Sequence, residues 1–179
     1  MEFLPAVIVT ALGLIFAGYY ALRSRLTSVY WKRVSRLFNL RFEKPFNNIL
    51  LPALAAVLLQ LGLFAVFGFH TQQNTLEGVA GLLFLSAFCA PIWEESVFRG
   101  AFLEFLRFKG AKNNMILIFF LAALFTLAHD YAGASALAMA SHFTAGLLFG
   151  FLYVRENNLL PAIIAHGAGN AVIILASLA

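Results

Sequence analysis

The chain is a succession of apolar runs long enough to cross a bilayer. A helix needs about 20 apolar residues to span the hydrocarbon core. Six runs approach or reach that length: residues 3–22, about 49–69, 76 through the Glu94 region and on to 108, 115–129, 134–154 and 159–178. A soluble domain would need a polar exterior, with about a quarter of its residues charged. Here 62% of the 179 residues are hydrophobic and 11% are charged. The expected fold is an all-α polytopic membrane helix bundle of about six transmembrane helices. The first run does not read as a cleavable signal peptide, because Glu2 precedes it and Arg23 and Arg25 follow it, the reverse of a signal's charge order. One cysteine, Cys89, excludes an internal disulfide and a cysteine metal cluster.

The basic residues give the topology. Arg23, Arg25, Lys32, Arg33, Arg36, Arg41 and Lys44 follow the first run; Arg99, Arg107, Lys109 and Lys112 lie at the end of the third and after it; Arg155 follows the fifth. These are all 12 Lys and Arg. If the runs alternate in direction, every one falls on a single side, and Lys and Arg mark the cytoplasmic side. Both termini are therefore expected outside, with the chain integral to the inner (cytoplasmic) membrane of a prokaryote. The expected partners are the lipid bilayer and a membrane-associated protein or peptide, with no nucleic acid. Between residues 23 and 44, Leu26, Tyr30, Val34 and Leu37 recur at helical spacing, while Arg25, Lys32 and Arg36 take another face. That pattern suits an amphipathic helix lying on the cytoplasmic leaflet. The chain divides into an N-terminal two-span region with this segment, 1–75, and a four-span region, 76–179.

Ionisable side chains inside spans are costly and usually face a protein interior or a wet cavity. Three groups qualify. In Glu94-Glu95-Ser96-Val97-Phe98-Arg99, Glu95 and Arg99 are four apart and can pair on one helical face. Glu94 points about 100° away and has no partner on its own helix, which makes it the candidate general base. In Phe125-x-x-x-His129, the histidine can accept, donate or relay a proton near neutral pH. In His166-Gly-Ala-Gly-Asn170, His166 and Asn170 share a face and can donate hydrogen bonds to an oxyanion, and Gly167 and Gly169 allow close approach of backbone or substrate. Singly, each has a structural reading: a salt bridge, a packing histidine, an interhelical amide. Together, on three spans, they make the inventory of a hydrolytic site.

These three motifs, in this order, resemble the signatures of the CPBP family, which comprises CAAX prenyl proteases and bacteriocin-processing enzymes and is also called Abi or type II CAAX proteases. The resemblance covers about Pro91 to Asn170. Phe98-Arg99-Gly100, Gly146 and Gly150, Tyr153, and Leu160-Pro161 ahead of His166 agree with it. It implies an intramembrane endopeptidase whose catalytic core is the four-span region. Glu94 would activate the attacking water and His129 would assist. Glu95 and Arg99 would hold the geometry, and His166 and Asn170 would stabilise the tetrahedral oxyanion. It further implies a metal-free glutamate mechanism. Zinc is the alternative, since glutamates and histidines can hold it with a water in the open position. Yet no motif reads His-Glu-x-x-His, and Arg99 beside the carboxylates disfavours a dication. Some relatives act instead as non-catalytic bacteriocin-immunity or membrane-partner proteins, and a proton- or ion-relaying transporter is a third, weaker reading.

Many members have eight spans, against six here. Asp130 matches no signature and reads as a cap at the outer face. His142, in the fifth run, matches none either and reads first as a packing or interhelical residue. By helical rise, His129 lies about 22 Å along its span and His166 only about 10 Å along its own. These residues can meet Glu94 only if the third helix runs well past Arg99 and the helices tilt, as they ordinarily do by about 20°.

Overall fold

The computed structural model describes residues 46–67, 76–129 and 135–176. The expected first span at 3–22, the amphipathic segment at 23–44, His70, which reads as an interfacial residue at a span end, and Asp130 lie outside them. Among the described residues the chain is all-helical. Helix α1 comprises Phe46–Leu50 and Leu51–Phe67. Helix α2 is continuous from Leu76–Leu82 through Leu83–Cys89, Ala90–Glu95 and Ser96–Leu103 to Glu104–Phe108. Helices α3 (Asn114–His129), α4 (Ala136–Glu156) and α5 (Leu160–Ala176) follow.

Helix α2 does run past Arg99. Its stretch Gly78–Arg107 is 30 residues long, about 45 Å at 1.5 Å per residue, and exceeds the hydrocarbon thickness of about 30 Å. Together with α4 it is one of two described helices long and apolar enough to cross a membrane, while α3 and α5 are shorter apolar helices. Their outward faces carry Phe84, Phe88, Phe119, Phe120, Leu127 and Phe151, all exposed. An outer surface of large apolar side chains is what lipid solvates and water does not.

Local chemistry sets the turns. Gly110, at φ 97, ends α2: its N–H donates to Arg107 and the N–H of Ala111 reaches back to Leu106, as a left-handed glycine allows at a helix C-terminus. Asn113 Oδ1 then accepts from the N–H groups of Met115 and Ile116, capping α3. Ser135 caps α4 through Ala138 N–H. Asn157, at φ 48, ends α4, and Asn158 Oδ1 accepts from Leu160 N–H one residue before Pro161, which needs no donor in a first turn. Connections this short place successive helices antiparallel. Lys109 and Lys112 accordingly lie beyond the end of α2, at the turn to α3, and Arg155 lies in the last turn of α4, next to the turn to α5. Arg99 does not belong with them: it is buried inside the bundle, so its charge carries no information about sidedness.

Two close approaches hold the helices. The first joins α3 and α4. A Cβ on Gly146 would meet Ala122 Cα at 3.0 Å, and one on Gly150 would meet Ile118 at 3.1 Å. Small residues four apart let the helices touch through backbone, the usual device where no hydrophobic effect drives association. The second joins α5 to α2 at Pro91. Proline lacks an N–H, so the Ala87 carbonyl loses its i+4 donor. Ala90 N–H reaches back five residues to Leu85, widening the turn into π geometry. Gly167 of α5 lies against this segment, where an added Cβ would collide with the Ala87 carbonyl oxygen. Gly167→Ala is therefore expected to force α5 off α2 and cost about 1–3 kcal/mol, read as a lowered unfolding midpoint in detergent.

Candidate active site

Glu94 and Glu95 occupy adjacent positions of α2 and reach different partners because they diverge around the helix. Glu95 is fully buried at 0% exposure and pairs with Arg99, Nη1 to Oε1 at 2.9 Å. The same Glu95 oxygen accepts from His166 Nδ1 of α5 at 3.0 Å. Arg99 Nη2 donates to the Gly146 carbonyl of α4 at 2.7 Å. The guanidinium also lies 5.2 Å from the Phe125 ring centroid and 5.8 Å from those of Phe98 and Phe149. A buried cation is tolerated only when paired and hydrogen-bonded, and aromatic faces add attraction. Arg99 thus ties α2, α3 and α4 together around one charge.

Glu94 is more open, with its side chain 22% exposed. Its Oε2 is 3.3 Å from His129 Nε2 and 3.7 Å from His166 Nε2. Neither contact has good hydrogen-bond geometry, and Oε2 is a buried atom without a hydrogen-bonded partner. The expectation that Glu94 lacks a partner on its own helix stands beside two imidazoles supplied by other helices.

The tautomers follow from the acceptors. His129 Nδ1 is 2.8 Å from the Phe125 carbonyl, which can only accept, so Nδ1 carries the hydrogen. His129 Nε2 is then an acceptor in the neutral ring and faces Glu94 Oε2. At most one proton lies between the two, held by either atom. An ionised Glu95, already accepting from Arg99, likewise requires His166 Nδ1 to donate, which leaves His166 Nε2 directed at Glu94. A carboxylate flanked by two imidazole Nε2 atoms can take up, share and return a proton.

Asn170 is placed differently. Its Nδ2 donates to the Ser86 carbonyl at 2.7 Å, and this carbonyl has lost its ordinary donors. Ala90 N–H goes to Leu85, and residue 91 is proline. One amide hydrogen of Asn170 therefore repairs the widened turn of α2; the second hydrogen and Oδ1 are its remaining capacity. Asn170→Ala would orphan the Ser86 carbonyl, at a cost of about 1–3 kcal/mol, and unfolding in mild detergent should register that loss separately from any change in kcat.

Rings line the site. Phe125 packs 4.3 Å from His129 and edge-on to Phe98 and His166. Phe149 stacks on His166 at 4.6 Å and 16°. His142 stacks on His129 at 4.8 Å and 30°. Phe149, Phe98 and the Gly146 carbonyl were not among the sequence candidates, and His142 read first as packing. The available signal was the spacing of His142, Gly146 and Phe149 at i, i+4 and i+7, one face of α4.

Among the described residues, no group of three or more His, Cys, Asp or Glu is arranged to hold a metal ion. No curated protein and no solved structure gives a significant match to the chain. A family model described as type II CAAX prenyl endopeptidase Rce1-like matches residues 76–172, more than half of the 179 residues. With that match over α2 to α5, the chain belongs to the Rce1-like family of type II CAAX prenyl endopeptidases, which are integral membrane proteins.

Proposed function

We propose that this chain is an intramembrane endopeptidase that hydrolyses a peptide bond in a membrane-associated protein or peptide, with Glu94 as the base that activates water. The convergence of two imidazole Nε2 atoms on Glu94 Oε2, at 3.3 and 3.7 Å, carries this reading. Glu94 takes a proton from water as the water oxygen bonds to the substrate carbonyl carbon. His129 Nε2 shares that proton and fixes the carboxylate. Negative charge passes to the carbonyl oxygen, where His166 and Asn170 supply donors. In its doubly protonated form His166 donates Nδ1–H to Glu95 and Nε2–H to the oxyanion. The proton then passes to the amide nitrogen as the C–N bond breaks, releasing an amine and a carboxylic acid, and the acid's remaining proton then passes to the amine to give ammonium and carboxylate. Glu95 and Arg99 hold His166 in place.

The family description favours a CAAX-type substrate, a prenylated C-terminal peptide; leader peptides and C-terminal sorting tails are the other substrates to compare. Metal-free water activation is the preferred mechanism, and a zinc mechanism, for which no three described His, Cys, Asp or Glu residues are arranged, is the competing one. The test is cleavage in proteoliposomes of a farnesylated CAAX peptide, a leader peptide and a tail-anchored peptide, with and without chelator. Cleavage that persists under chelation and disappears in Glu94→Ala supports the reading. Loss on chelation with recovery on zinc addition replaces it with a metal mechanism. A Glu94→Ala protein that inserts normally and cleaves at the wild-type rate removes it.

A further inference from the structure

We infer that His142 is a positioning residue for His129, holding its ring in the plane that aims Nε2 at Glu94; this rests on the protease reading above. His129 lies in the last described turn of α3, and its ring folds back over the preceding turn. The hydrogen bond from Nδ1 to the Phe125 carbonyl fixes one atom of the ring, and rotation about that contact would swing Nε2 away from Glu94. Two rings oppose the swing. Phe125 lies 4.3 Å from the His129 centroid and His142 lies 4.8 Å from it, while Phe125 and His142 are 6.5 Å apart. These three distances form a nearly right-angled triangle with His129 at the corner. The neighbours therefore restrain the imidazole from two directions rather than duplicating one contact.

Helix α4 handles the second histidine in the same way. Phe149 is seven residues beyond His142, on the same helical face, and stacks on His166 at 4.6 Å. Between them Gly146 takes Arg99 through its carbonyl. One face of α4 thus bears a ring for each histidine on Glu94 and the acceptor for the buried arginine. Half-buried, His142 can be changed with less disturbance than Phe149, which is 1% exposed.

An aromatic contact of this kind is worth about 0.5–1.5 kcal/mol, so His142→Ala is expected to lower kcat about 3- to 10-fold on a farnesylated CAAX peptide while KM stays unchanged. His142→Phe keeps a flat ring without ionisable nitrogens and should return kcat to within about 2-fold of wild type. In a His129→Ala background the His142→Ala change should have no further effect on kcat. A second readout does not depend on cleavage. With 15N-labelled histidine in micelles, the His129 Nδ1–H signal should be sharp in the wild type and His142→Phe, and broadened in His142→Ala. Wild-type kcat in His142→Ala, a His142→Phe protein as slow as His142→Ala, or an unchanged His129 signal in His142→Ala would each overturn the inference. If the wild-type protein cleaves no peptide, the protease reading is struck, and the ring spectrum still decides the role of His142.

Discussion

Glu94→Gln should reduce cleavage by about 10²- to 10⁴-fold, the usual contribution of a general base, while the protein inserts and unfolds like the wild type. Glutamine has the same shape but cannot accept the proton that must leave the attacking water. Its amide can still face His129 and His166, so the packing around Oε2 at 3.3 and 3.7 Å survives. The loss should appear in kcat, with KM little changed, because the carboxylate acts in the transition state rather than in ground-state binding. Rates of wild type and Glu94→Gln in proteoliposomes, normalised to folded protein, make the measurement. Equal rates would remove Glu94 from the chemistry.

Arg99→Ala should instead break the fold. The guanidinium is the partner of a fully buried carboxylate and donates to Gly146. Its removal leaves the fully buried Glu95 with only the His166 Nδ1 hydrogen bond to offset its charge. Losing one partner of a buried pair costs about 3–5 kcal/mol, a large share of a domain's total stability of about 5–15 kcal/mol. Arg99→Lys should not rescue it fully. A lysine ammonium is a compact point charge without the planar fork that serves Glu95 and the Gly146 carbonyl at once. Unfolding in detergent should rank wild type above Arg99→Lys, and Arg99→Lys above Arg99→Ala. A wild-type midpoint in Arg99→Ala would show that the buried pair contributes nothing net, as some buried pairs do when their surroundings relax.

These two expectations separate proton chemistry from scaffold, and the sequence bears on them unequally. The pairing of Glu95 with Arg99 was legible as two opposite charges four apart on a helix, and the structure has it at 2.9 Å. The ends of the apolar runs were close as well: 115–129 against Asn114–His129, and 159–178 against Leu160–Ala176. Arg99 departs from its expected place among the charges that mark the cytoplasmic side, because it is buried inside the bundle. Asn170 was read for its donors. One of them goes to Ser86, because the proline five residues further along α2 had removed that carbonyl's partner.

The sequence by itself determined the helical class and the local pairs. A chain this apolar must satisfy its backbone within each segment when lipid surrounds it, and helices do so without a neighbour. Contacts between residues four apart need only that helix. Partners across helices are another matter. His166 meets Glu95 from 71 positions away, and Asn170 meets Ser86 from 84. Periodicity tells which residues share a face of one helix but not which faces meet. The tertiary structure decided that through shape: the glycines at 146, 150 and 167 set how closely and where the backbones cross, and those crossings put His129 and His166 beside Glu94 and the rings of His142 and Phe149 against those two histidines.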